Sequence, residues 1–173
     1  ARSRLTLLLL CAVPLGLQAQ TCRSPLEIPA TTPSAQLQVL GDGTVTDSAT
    51  GLMWKQCPEG LSGSDCSSGS LLKLTWQQAL QRPQAVNASG FAGYNDWRLP
   101  NVKELHSIVD YTRSPGTTRS AAINPLFNAT AITNEADQSD YPFYWSSTTH
   151  SNWNQEMGGA SGAYIAFGRA MGY

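Results

Sequence analysis

The sequence predicts an α+β domain, on three observations. Leu37, Val39 and Val45 alternate with polar residues around Gly41-Asp42-Gly43. Thr75 and Asn101 each stand before an apolar stripe at helical spacing. Residues 141–173 then gather eight of the fifteen aromatic side chains, interleaved with Ser, Thr, Asn and Gly in a strand-like alternation. Together these read as a hairpin, two helices and a late set of strands.

The chain opens on a secretory leader. Arg2 and Arg4 precede an apolar run from Leu5 to Leu10 that continues to Val13, and Ala19 supplies a small residue for cleavage, so residues 1–19 are read as a signal peptide. The run is shorter than the roughly 20 residues of a spanning helix, and no later segment approaches that length, so no membrane span is expected. The expected location is secreted, periplasmic or cell surface. Thr21 before Cys22, and Leu10 before Cys11, argue against a lipid anchor.

Removing the leader from 173 residues leaves 154, enough for one domain with its own core. Without Arg2 and Arg4, nine basic residues face twelve acidic ones, a formal charge of −3. That balance argues against nucleic acid as a partner. Cys11 leaves with the leader, and Cys57 and Cys66 bracket a turn-rich loop, Pro58 to Asp65, that a disulfide would close. Cys22 is then left over. The two histidines and this pair of cysteines do not make a metal site.

Residues 20–36 are rich in Pro, Thr, Ser and Ala and read as an exposed lead-in to a single domain over 37–173. Its hairpin turns at Gly41-Asp42-Gly43, and a second turn, Asp47 to Gly51, leads into the strand Leu52-Met53-Trp54. Asp42 and Asp47 loosely resemble calcium ligands, but the alternating oxygens and closing Glu of such a loop are missing, so turn chemistry is the better reading. Thr75-Trp76-Gln77-Gln78 has the form of a capping box. The helix after it carries Trp76, Ala79, Leu80, Pro83 and Val86 on one stripe, and Pro83 predicts a kink or stop near Arg82. A second helix starts at Asn101 with Glu104 as capping partner, carries Val102, Leu105, Ile108 and Val109 inward, and is expected to end near Tyr111. From Thr112 to Ser139 the polar, irregular sequence predicts a long surface excursion. The chain stops soon after a strand-like alternation, and the domain is therefore expected to be truncated at its C-terminus.

No reaction emerges. His106 sits off the apolar stripe and reads as solvated, and no serine lies in a nucleophile elbow. Asp137, Asp140 and Glu156 are weak candidates for a carboxylate pair, or with Asn134 or Asn152 for calcium. Recognition suits the residues better: Trp and Tyr offer rigid contact area and Ser, Thr and Asn adaptable hydrogen bonds. Trp153 between Asn152 and Asn154 is the leading candidate, with His150 as a contact residue. Trp145 and Tyr144 read as core. Trp97 is expected to pack under the second helix cap while Asp96 and Arg98 pair or hold loop backbone.

Gly41-Asp42-Gly43-Thr44, Gly51-Leu52-Met53-Trp54, Thr75-Trp76, Asp96-Trp97-Arg98-Leu99-Pro100 and Trp145-Ser146-Ser147 resemble the C-terminal domain family of the Legionella collagen-like adhesin, over about Gly41 to Phe167. The resemblance implies a C-type-lectin-like fold, two helices with a twisted antiparallel sheet and long loops. It also implies adhesion, with a glycan or cell-surface protein as partner, no cofactor unless calcium, and a homo-oligomer as in the trimeric adhesin. The absence of a Gly-X-Y stalk and the negative charge set this chain apart from that adhesin, which binds sulfated polysaccharides. The segment from Trp145 also resembles the retroelement-diversified ends of other lectin-fold proteins, which implies that Asn152, Trp153, Asn154, Glu156 and Tyr164 face the ligand. Two alternatives stand beside this reading. One is an enzyme of the related formylglycine-generating class, which would need a late cysteine pair that this sequence lacks. The other is a purely structural envelope module.

Overall fold

The computed structural model describes residues 29–150 and 161–169. The leader, Cys22 and Asn152, Trp153, Asn154 and Glu156 lie outside them. Strands β1 (Leu37–Val39), β2 (Thr44–Asp47) and β3 (Leu52–Lys55) form an antiparallel sheet in sequence order. The turn between β1 and β2 uses Gly41 and Gly43 at φ 82° and 90°, where a side chain would be strained. Asp42 Oδ1 accepts from the amide and hydroxyl of Thr44, and Asp47 accepts from the Ala49 amide and the Thr50 hydroxyl. These carboxylates are turn builders, as their spacing predicted.

Cys57 and Cys66 are bonded, with their Cα atoms 5.4 Å apart, and enclose the start of a small hairpin of β4 (Leu61–Ser62) and β5 (Ser68–Gly69). Within that loop Glu59 accepts from Lys55 and, at 2.7 and 2.9 Å, from Arg82. Partial burial opposes its ionisation, yet these two cations hold its carboxyl below the usual range.

Helix α1 (Trp76–Ala88) starts from the expected capping box: the Gln78 amide donates to the Thr75 hydroxyl and the Thr75 amide to Gln78 Oε1. It does not stop at Arg82. Pro83 lies inside it, and the half beyond is held by burial of Val86 and by Asn87, whose side chain donates to the Trp97 carbonyl and accepts from the Trp97 amide. These tertiary contacts override the local cost of proline. Leu80, expected on the inner stripe, is 40% exposed.

Helix α2 (Val102–Ser107) is shorter than its apolar stripe suggested. Ile108 already leaves helical geometry at φ −99°, ψ 4°, and Val109 pairs with Ile123 in an antiparallel bridge. Two adjacent β-branched residues favour that exchange. The α2 capping box forms with Asn101 and Glu104, and Glu104 also receives Arg98 through two hydrogen bonds of 2.6 and 2.7 Å. Arg98 therefore pairs with Glu104 and not with Asp96, because the capping box already turns Glu104 back toward it. Trp97 packs against the end of α1, its Nε1 donating to the Phe91 carbonyl and its ring beside Phe91 and Tyr94.

The segment 112–139 is a surface excursion only in part, with 116–119 and 135–139 exposed. Ala121, Ile123 and Phe127 join Leu37, Val45, Leu105, Ile108, Val109 and Phe167 in one buried cluster. The short pair β6 (Ile132–Thr133) and β7 (Ser139–Asp140) follows. The lead-in is partly docked too: Thr32 is 1% exposed and its carbonyl accepts from Asn124, while the Thr31 hydroxyl donates to the Val109 carbonyl. Strands β8 (Phe143–His150) and β9 (Ser161–Ala166) complete an α+β fold of two helices and small antiparallel sheets. No helix among the described residues is long and apolar enough to cross a membrane.

Candidate functional site

The β8–β9 hairpin is gripped from both helices at one irregularity. Trp145 stands opposite Tyr164 and Thr149 opposite Gly162, so β8 advances four residues where β9 advances two. Ser146, Ser147 and Thr148 bulge out of the ladder. Several of the displaced polar groups find partners on other elements, as buried backbone must. The Ser146 carbonyl accepts from Trp76 Nε1 of α1 at 2.8 Å. The Ser146 hydroxyl donates to the Ala163 carbonyl at 2.7 Å and accepts from the Thr148 amide. The Ser147 amide donates to the Pro100 carbonyl, and the Thr148 hydroxyl accepts from the Val102 amide at the start of α2.

Close packing completes the grip. A Cβ on Gly162 would collide with the Trp76 indole, so only glycine lets the ring lie on β9. Trp145 donates to the Leu74 carbonyl at 2.8 Å and meets Tyr164 edge to face at 5.8 Å, with Phe143 against both rings. On the other side Tyr144 packs on Phe167 in the core, and burial pushes its phenol up to about 12. Tyr144 packs against the core cluster, as expected, and both it and Trp145 are partly buried.

The far end of the hairpin is fixed by Asp140. Its Oδ1 accepts from the amides of Tyr141 and Arg169, both at 2.8 Å, and its Oδ2 from Asn134. Burial works against the charge, but these donors keep the carboxyl below its usual range. Gly168 passes so close that a Cβ would strike Asp140 Oδ1 and the Tyr141 carbonyl. Asp140 is thus a structural latch, and Asp137 is exposed at φ 55° in the turn before β7. The latch is not legible in the sequence, since it closes only when Arg169, 29 residues on, comes beside Asp140.

Of the residues expected to contact ligand, His150 and Tyr164 are described and both are exposed. His150 stands opposite Ser161 on the last rung before residues 151–160. Faces alternate along β9, so Tyr164 shares the side of Gly162, which Trp76 covers, whereas Ser161 and His150 fall on the other side. Asn152, Trp153, Asn154 and Glu156 belong to the ten-residue connection outside the described residues. His106, read as solvated, is exposed and hydrogen-bonds the Tyr111 hydroxyl at 2.8 Å. Among the described residues no three His, Cys, Asp or Glu side chains are grouped to hold a metal ion.

The sequence motifs singled out above meet here. Thr75-Trp76, Leu99-Pro100 and Trp145-Ser146-Ser147 are far apart in the chain, yet Trp76, Pro100 and Ser146-Ser147 are the partners in the bulge. A family model described as the Lcl C-terminal domain matches residues 43–171. No curated protein and no solved structure matches the chain.

Proposed function

The chain belongs to the Lcl C-terminal domain family, and from that premise we propose that it is an exported, surface-associated binding module. It recognises a polar ligand, a glycan or a cell-surface protein, through the connection between β8 and β9. The observation that carries this reading is the bulge: two helices converge on it and satisfy its buried groups, a rigid base of the kind on which binding loops are mounted. The loop chemistry fits. Asn152, Trp153 and Asn154 place one aromatic between two amides, with His150 before them and Glu156 and Tyr164 after. An aromatic face against the apolar face of a sugar ring, bordered by amides, is a sound glycan contact.

The overall arrangement is read as C-type-lectin-like, and the module as a binder without a catalytic cycle. His106 engaged with Tyr111 and Asp140 engaged with three donors support that reading, because neither is poised for proton transfer. The test is binding of the purified chain to a glycan and cell-surface panel, with and without a calcium chelator. Saturable binding supports recognition, and its loss with chelator assigns calcium to the site. A folded protein that binds nothing on the panel moves the weight to a structural envelope role.

A further inference from the structure

Residues 31–36 lie against segments far away in the chain, and one buried group among them has no partner. Thr31 uses its hydroxyl twice, donating to the Val109 carbonyl at 2.8 Å and accepting from the Tyr111 amide at 3.1 Å. One side chain thus satisfies a carbonyl and an amide that a neighbouring strand would otherwise pair, while Val109 itself bridges to Ile123. Asn124, buried, holds the next step: its Nδ2 donates to the Thr32 carbonyl and to the Ser34 hydroxyl, both at 3.0 Å. A turn then leads into β1, with the Gln36 amide donating to the Pro33 carbonyl. Between these fastenings the Thr32 hydroxyl is buried and unpaired, a cost that a valine of the same shape would not carry. Thr31, Pro33, Ser34 and Ala35 are exposed, so the stretch buries little besides Thr32.

Segments with few buried contacts and exposed hydrogen bonds open below the free energy of global unfolding. We propose that residues 31–36 form a releasable strap, which closes over Val109, Tyr111 and Asn124 and opens as one unit about the entry to β1 while the rest of the fold stays intact. Opening brings the Thr32 hydroxyl to water. It also frees the Val109 carbonyl, the Tyr111 amide and the Asn124 side-chain amide together, as an unpaired edge beside the Val109–Ile123 bridge. The residues before Thr31 join the domain through this strap, so tension or a partner acting on them meets it first. The inference is independent of ligand binding by the β8–β9 connection.

Amide hydrogen exchange on the full chain tests it. The Tyr111 and Gln36 amides report on the strap, and the Asp110 and Ala122 amides, which donate to the Ala122 and Phe167 carbonyls, report on the frame behind it. In wild type, Tyr111 and Gln36 are expected to exchange together and faster than Asp110 and Ala122. Thr32→Val should slow Tyr111 and Gln36 about tenfold, the scale of relieving one unsatisfied buried hydroxyl, and leave Asp110 and Ala122 unchanged. Thr31→Val cuts the Tyr111 bond directly, and it should also speed exchange at Gln36, which Thr31 does not touch. Thr31 is exposed, so this variant keeps the core. Strap amides that exchange only as fast as the frame would overturn the proposal, since the segment would then open only with the whole fold. Unchanged Gln36 exchange in Thr31→Val would overturn the single unit, and unchanged or faster exchange in Thr32→Val would overturn the role of the buried hydroxyl.

Discussion

The indole Nε1 of Trp76 donates to the carbonyl of Ser146 at 2.8 Å, in a buried contact spanning 70 residues of sequence. One bond joins the first turn of α1 to the β8 bulge, and the same ring packs against Gly162. Phenylalanine at this position removes the donor together with the part of the ring that lies against Gly162. Trp76→Phe is expected to destabilise by about 1–3 kcal/mol, because the Ser146 carbonyl is then left buried without this partner. A urea titration followed by circular dichroism checks it.

Gly162→Ala tests the packing half of the same contact. The added methyl meets the Trp76 ring, and overpacking of this kind costs about 1–3 kcal/mol. Gly116 is the control: a Cβ there meets nothing within 4 Å, and Gly116→Ala should stay within about 0.5 kcal/mol of wild type. Equal effects in the two variants would count against close packing at Gly162.

Acid should weaken the fold in part through Glu104. The Arg98 guanidinium, foremost, and the Asn101 amide lower its carboxyl from 4.5 to about 2 in spite of partial burial. Between those values the unfolded chain holds a proton that the folded chain does not. The contribution is therefore complete above the unfolded value and is lost as pH falls toward the folded one. Because Arg98 is largely exposed, the effect is modest. In Glu104→Gln, Tm should fall less steeply across that window, and an unchanged slope would assign the acid sensitivity elsewhere.

Reducing the Cys57–Cys66 bond frees the loop that carries Glu59, and with it the anchor of Arg82 on α1. The paired Ser variant is expected to lose about 2–3 kcal/mol in urea titration, the range for closing a loop of this size.

Much of the frame is legible in the sequence because its signals are local. Both capping boxes, the Gly-Asp-Gly hairpin turn, the strand at Leu52-Met53-Trp54 and the Cys57–Cys66 pairing depend on residues close together in the chain. What escaped depends on distant partners. Ser146-Ser147-Thr148 reads as a polar loop entry until Trp76, Pro100 and Val102 are beside it and β8 is seen to run on to His150. Pro83 reads as a kink or stop until Asn87 is tied to Trp97. Ile108-Val109 reads as helix until Ile123 offers a bridge, and the polar 112–139 segment hides the few apolar residues that enter the core. Of the candidate contacts, the structure describes His150 and Tyr164.

The most direct test of the account compares Trp153→Ala with Trp97→Ala, measuring affinity for a panel ligand and urea stability in each. The account predicts that Trp153→Ala weakens binding at least about tenfold while the fold keeps its stability, as for a residue whose energy goes into binding. It predicts that Trp97→Ala, which removes a ring packed on Phe91 and Tyr94 and hydrogen-bonded to the Phe91 carbonyl, costs about 3 kcal/mol or more. Unfolding of Trp153→Ala, or full binding by it, would contradict the assignment of recognition to the β8–β9 connection.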